Sequence, residues 1–163
     1  MLFRSRTLDN PHLHAFLLRF RQKTGQTILD KEDDFARIQG TLRGGGAIAT
    51  LADQDAGPRG QFVDFFGRPA STHKAVALLA LEHDAVLAVV GVPRVGEALR
   101  YRIAVEDVIR PEEYAGRRDA VAAITQRFTA ALERLVREFP EQYFWLHRRW
   151  KHQPQPRKAK RAA

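Results

Sequence analysis

The chain has no cysteine, a single methionine and, after Glu141, no acidic residue. Without cysteine there is no disulfide framework, no thiol nucleophile and no cysteine-ligated zinc or iron–sulfur site. A long hydrophobic run is also missing. A bilayer span needs about 18 to 20 apolar residues, and the best stretch, 75–92, carries Glu82, His83 and Asp84 in its middle. The start, Met1-Leu2-Phe3-Arg4-Ser5-Arg6, lacks the apolar core of a secretory signal.

What is present is 163 residues, 44% hydrophobic and 28% charged, with 27 Lys+Arg against 19 Asp+Glu. That suits one globular domain with a real core. The formal charge of +8 is unevenly placed. All 19 acids lie at or before Glu141, and seven of the bases fall between Arg148 and Arg161. A near-neutral body with a cationic end predicts attraction to an anionic surface: a membrane leaflet, a nucleic acid or a phosphorylated ligand.

Asn10-Pro11 is a helix-start signal, and Leu13, Phe16, Leu17 and Phe20 recur at the spacing of an apolar helix face, ended by Gly25. A short strand is expected over 26–29. A second helix follows, capped by Asp30, acidic in its first turn, with Phe35, Ile38 and Leu42 as its buried stripe and three glycines as its stop. Residues 47–52 predict a strand covered on both faces, 72–82 a helix and 85–92 a buried strand, with 99–105 as a neighbouring strand. Val121, Ile124, Phe128, Leu132, Leu135 and Phe139 trace a long helix. Pro140 is expected to open a last helical segment rich in aromatics, and 153–163 to be a disordered basic tail. The alternation of strands and helices predicts an α/β fold.

Two constellations are candidates for chemistry. Asp53-Gln54-Asp55 sits where an apolar strand runs into a Gly-Pro loop, the end of a strand at which α/β sheets bind ligands. Two carboxylates there suit a hydroxyl, an arginine or a metal, although a third metal ligand is missing; the plainer alternative is a solvated turn capped by its own aspartates. The second constellation is the run from Pro140 to Lys151. Helical spacing would align Phe144, His147 and Lys151, with Arg148 beside them and Trp145 with Arg149 on another side. Arginines with indoles suit a phosphorylated lipid; equally, a terminal helix can pack its aromatics inward and leave its bases in water. Of the six histidines, His147 is the best placed to act as a general base.

The run Pro140-Glu141-Gln142-Tyr143-x-Trp145-Leu146-His147-Arg148-Arg149-Trp150-Lys151 closely resembles the C-terminal signature of the bacterial lipid A biosynthesis lauroyl/myristoyl acyltransferases. Three further blocks agree in order and spacing: Arg6-x-x-Asp9-Asn10-Pro11 followed by Arg21 and Gly25; Asp53-Gln54-Asp55-x-Gly57; and Phe62-Val63-x-Phe65-Phe66-Gly67-x-Pro69-Ala70-x-Thr72. The resemblance runs from Arg6 to Lys151. It implies a membrane-anchored enzyme of the glycerolipid acyltransferase fold, a mixed sheet flanked by helices. Such an enzyme transfers an acyl chain from acyl carrier protein to a lipid A precursor or related glycolipid at the cytoplasmic face of the inner membrane, with no further cofactor or metal.

That family uses a His-x-x-x-x-Asp/Glu dyad, carried together with a membrane helix upstream of the matched region. Five residues after the six histidines of this chain stand Leu17, Arg19, Leu78, Ala88, His152 and Arg157, none of them acidic. The resemblance therefore implies a C-terminal portion, residues 1–152, incomplete on its N-terminal side and without its catalytic residues. It implies substrate-binding roles for Arg6, Asn10, Asp53, Asp55, His147, Arg148 and Arg149, and an anionic membrane surface as a partner. The competing expectations are a non-catalytic basic module for anionic lipid or nucleic acid, for which no specific nucleic-acid motif is present, and a scaffold for a homologous acyltransferase.

Overall fold

The computed structural model describes residues 2–4, 9–23, 25, 27–29, 35–97 and 99–154. The chain is mixed α/β, as expected, and divides into two compact units, Met1–Leu51 and Ala52–Ala163.

In the first unit, strand β1 (Leu2–Arg4) leads to helix α1 (Pro11–Gln22), strand β2 (Thr27–Leu29), helix α2 (Phe35–Arg43) and strand β3 (Ile48–Ala49). The strands form a parallel sheet in the order β2-β1-β3, with Phe3 opposite both Ile28 and Ala49. Parallel neighbours need a crossover, and the helices supply it. Asn10 caps α1 through its side-chain oxygen, which accepts the N–H groups of His12 and Leu13 at 3.0 and 3.1 Å. The expected cap and acidic first turn of α2 lie outside the described residues. The buried stripe expected on α2 is met in part, with Ile38 and Leu42 half-buried but Phe35 61% exposed; on the apolar face of α1, Phe16 and Phe20 stack on each other yet are 57% and 64% exposed. The strand expected over 47–52 shortens to Ile48–Ala49 and is half-buried.

The second unit holds the core. Strands β4 (Gln61–Phe65) and β5 (Arg68–Thr72) form an antiparallel hairpin, and helix α3 (Ala75–Glu82) follows. Strands β6 (Leu87–Gly91) and β7 (Ala104–Ile109) pair antiparallel, and helix α4 (Ala120–Glu138) packs against β4, β6, β7 and α3. The buried face of α4, Ile124, Phe128, Ala131 and Leu135, meets Ala77, Val89, Ile109 and Tyr114. Thr125 and Thr129 are buried with it, and each hydroxyl donates to the carbonyl one turn back, so neither is left unpaired.

Several boundaries moved for identifiable reasons. The hairpin was not anticipated, because its two-residue turn is Phe66-Gly67 where such turns favour Asn-Gly or Asp-Gly. Both residues have positive φ, 55° and 71°. Phe66 tolerates this because its N–H donates to Glu133 at 2.7 Å and its ring packs edge-on to Phe65 and Trp145. The hairpin takes Ser71 and Thr72, so α3 starts at Ala75 and not at Thr72. The partner of β6 lies at 104–109 and not at 99–105. Its Glu106 and Asp107 look like loop residues in sequence, but they pair with Arg134 and Arg127 on α4.

The terminal segment is also corrected. Past a single 3-10 turn at Pro140–Gln142, residues 143–152 form successive turns and no helix, so the helical alignment of Phe144, His147 and Lys151 does not exist. Side chains capture the backbone: the indole N–H of Trp145 donates to the Pro140 carbonyl at 2.6 Å and that of Trp150 to the Phe65 carbonyl at 3.3 Å. Residues 155–163, the greater part of the expected tail, lie outside the described residues.

Candidate functional site

The terminal segment is a strap laid across the β4–β5 hairpin and the loop at 53–57. A second small core forms beneath it, where Phe65, Ala70 and Val136 are packed by Phe66, Tyr143 and Trp150. Phe65 is the hub, with Trp150 at 5.6 Å and Tyr143 at 6.2 Å between ring centroids. Such aromatic pairs add about 0.5–1.5 kcal/mol each beyond their area, enough to hold an irregular segment that has no helical hydrogen bonds of its own.

The polar contacts then fix the loop. The N–H of Asp55 donates to His147 Nε2 at 2.8 Å. A ring nitrogen that accepts carries no proton, so this contact uses the tautomer of His147 with its hydrogen on Nδ1. The Asp55 carboxylate turns back on its own loop, accepting the Gly57 N–H at 3.0 Å, and its Oδ2 lies 2.6 Å from His152 Nδ1. Burial acts to raise the pKa of Asp55. The His152 hydrogen bond, the Gly57 N–H and the charge on His152 outweigh it and leave the pKa below the ordinary value of 3.8. The Asp53 carbonyl accepts the Tyr143 hydroxyl at 3.4 Å; burial first, and the nearby Asp53 charge second, push that phenol up to about 12.

Arg149 is 1% exposed. Its guanidinium donates to the Ser71 carbonyl and to Thr72 Oγ1, both at 2.6 Å, and lies over the Phe65 ring. Burial lowers its pKa, opposed by the fields of Tyr143, Asp55 and Asp53. Arg149 was expected to face a substrate or the leaflet; it points instead into the protein and clamps the strap to β5. Arg148 is exposed, its carbonyl accepting the Lys151 N–H. Gly60 makes the close packing possible, since a Cβ there would lie 2.1 Å from the Ser71 hydroxyl and 3.0 Å from the Thr72 carbonyl.

The structure thus brings Asp53, Asp55, His147 and Arg149 together in the second unit. Asn10 belongs to the first unit, where its oxygen is committed to the cap of α1. Arg6 lies outside the described residues. Ser71, Thr72 and His152 were missed as members of this cluster. His152 reaches its partner from 97 positions away, a pairing without a local signal. In this arrangement His147 spends Nε2 on a backbone N–H. Among the described residues no group of three His, Asp or Glu side chains is placed to hold a metal ion, and no helix is long and apolar enough to cross a membrane.

An α/β chain that closes an Asp-Gln-Asp loop under a Tyr-x-Trp-Leu-His-Arg-Arg-Trp-Lys strap falls, by comparison with known proteins, among the acyltransferases. The model of the bacterial lipid A biosynthesis acyltransferase family matches residues 2–152, and the chain belongs to that family. It is similar to the lipid A biosynthesis lauroyltransferase of Escherichia coli K12, at 28% identity over 149 residues, which are 90% of this chain and 47% of that protein. The palmitoleoyltransferase of the same organism and a lipid A biosynthesis acyltransferase of Shigella flexneri are each 28% identical over 157 residues, 94% of this chain and 49% of theirs. The chain spans about half the length of these relatives.

Proposed function

We propose that this chain is the scaffold and acceptor-handling part of an acyltransferase that moves a fatty acyl chain from acyl carrier protein to a lipid A precursor or related glycolipid. The observation that carries the reading is the family match over nearly the whole chain. The buried strap and loop support it, because they spend Asp55 and His147 on holding the 53–57 turn in one shape and Arg149 on clamping the strap to β5. A fixed turn at the edge of an α/β fold is the kind of element on which a substrate is oriented. Exposed Arg148 would then meet a phosphorylated headgroup or an anionic leaflet at the cytoplasmic face of the inner membrane. Arg6 would take part in the same task, on the resemblance of its motif.

Acyl transfer to a hydroxyl needs a base for the hydroxyl proton. None of the six histidines is followed five residues later by an acid, and His147 Nε2 is occupied. The chain alone is therefore inactive. Purified chain, given radiolabelled acyl-acyl carrier protein and a tetraacylated lipid A precursor, should transfer no label above background. Turnover clearly above it would overturn the claim of inactivity, and Arg148→Ala in an active relative with unchanged turnover would remove that residue's role.

A further inference from the structure

The β6–β7 pair has two unlike faces. Toward α4 it presents Leu87, Val89 and Ile109, and Gly91 lets the helix come so close that a Cβ there would lie 3.1 Å from the Leu135 side chain. Away from α4 it presents Val86, Val90 and Val92 on one side and Ile103, Val105 and Val108 on the other, each between 43% and 74% exposed. The register makes this one surface, with Ala88 opposite Val108 and Val90 opposite Val105. An irregularity between Val89 and Val90 leaves Glu106 as the extra residue of β7, so Val105 and Val108, three apart, share the outer face while Glu106 pairs with Arg134 of α4. Charge has been kept off this face. An antiparallel pair with one solvated face normally alternates apolar-in with polar-out, whereas here the charged Glu106 and Asp107 turn toward α4 and the outer face is left apolar.

We infer that this outer face is the seam on which the remaining half of the acyltransferase polypeptide packs, supplied by the same chain in a longer form or by a separate one. The inference rests on the acyltransferase reading and adds to it the place of assembly. Three observations select this occupant. The relatives are about twice as long as the stretch this chain matches, so in them a comparable length of polypeptide is available to cover such a face. An antiparallel pair that leaves one face to water carries polar residues there; this outer face carries none, and α4 covers the other face only. The patch is β-branched and uncharged, which is the composition of a core cut in half; a leaflet-binding face would interleave bases and aromatics.

The chain has no cysteine, so a single introduced thiol reports its own surroundings. Val90→Cys, Val105→Cys and, as a control at an exposed position of the 3-10 turn Pro111–Tyr114, Glu112→Cys would be labelled with a maleimide and read by peptide mass spectrometry. Each would be made in this chain alone and in a hybrid where the chain replaces the matched half of the E. coli lauroyltransferase. Labelling at 90 and 105 should be fast in the chain alone and slower by about ten-fold or more in the hybrid, with 112 fast in both. Equal rates at 90 and 105 in the two proteins, or equal slowing at all three positions, would overturn the inference. So would slow labelling of the chain alone, protection that grows with its concentration (a second copy), or protection by vesicles of phosphatidylglycerol (a leaflet). The readout needs no turnover: a protected but inactive hybrid would count against the acyltransferase reading and leave the seam standing.

Discussion

The two units handle their apolar residues in opposite ways. Every buried residue among those described belongs to the second unit, from Val63 to Arg149; in the first, Leu13, Phe16, Phe20 and Phe35 are about half exposed or more. Both contain amphipathic helices of the same sequence type. Helical periodicity specifies a helix and the orientation of its stripe, but whether the stripe is buried depends on a partner that periodicity does not name. Helix α4 finds its partner in β4, β6, β7 and α3. The first unit draws its order from the Asn10 cap and from parallel strand pairing, and among its described residues there is no equivalent of the α4 core.

The largest expected effect tests that contrast directly. Phe128→Ala removes a side chain 2% exposed at the centre of the core, and a cavity of that kind costs about 3–5 kcal/mol. Phe16→Ala removes an equal volume from a site 57% exposed and should stay within about 0.5 kcal/mol. Urea unfolding of the two variants reads the difference, and a Phe16→Ala cost near that of Phe128→Ala would break the comparison. Next in size is a pair of arginines. Arg149→Ala strips the Ser71 carbonyl and Thr72 Oγ1 of a buried donor and should cost about 2–3 kcal/mol. Arg19→Ala, on the exposed side of α1, should fall within about 0.5 kcal/mol. Arg149→Met should recover part of the loss, since filling the volume without a charge avoids its desolvation.

The same contrast explains what could be foreseen. Helices α1, α2 and α4, strands β2 and β3 and the β6–β7 neighbour relation were legible because each follows from a local period and a local stop, whereas β1 carried no such signal. The β4–β5 hairpin was not, since its Phe66-Gly67 turn is held by Glu133 and Trp145 from far along the chain. The terminal segment misled in the other direction: its residues permit a helix, yet its aromatics gain more from Phe65 than a helix would return. Of the candidate site, the Asp53–Asp55 turn and His147 were identified as separate features. That one closes on the other, through a backbone N–H and an imidazole 92 positions apart, is a property of the tertiary fold. Arg149 looked like a surface cation because arginine is seldom buried; two oxygens of β5 make the exception.

The smallest effect concerns how the strap responds to acid. Asp55 has a lowered pKa in the folded chain, held down by His152 and the Gly57 N–H against the opposing effect of burial. A carboxylate depressed by folding contributes stability that is fully present above its unfolded pKa, near 3.8, and is lost as pH falls through the folded value. Asp55→Asn removes that contribution at neutral pH, so the variant should be less stable than the parent at pH 6. The gap should narrow as pH drops below about 4. Arg19→Ala, in the unit without a buried carboxylate among its described residues, should show a flat difference over the same range. A stability difference between parent and Asp55→Asn that stays constant from pH 6 to pH 2.5 would mean that the Asp55 carboxylate is not held ionised by the strap. The loop would then owe its shape to the His147 contact and the aromatic packing alone.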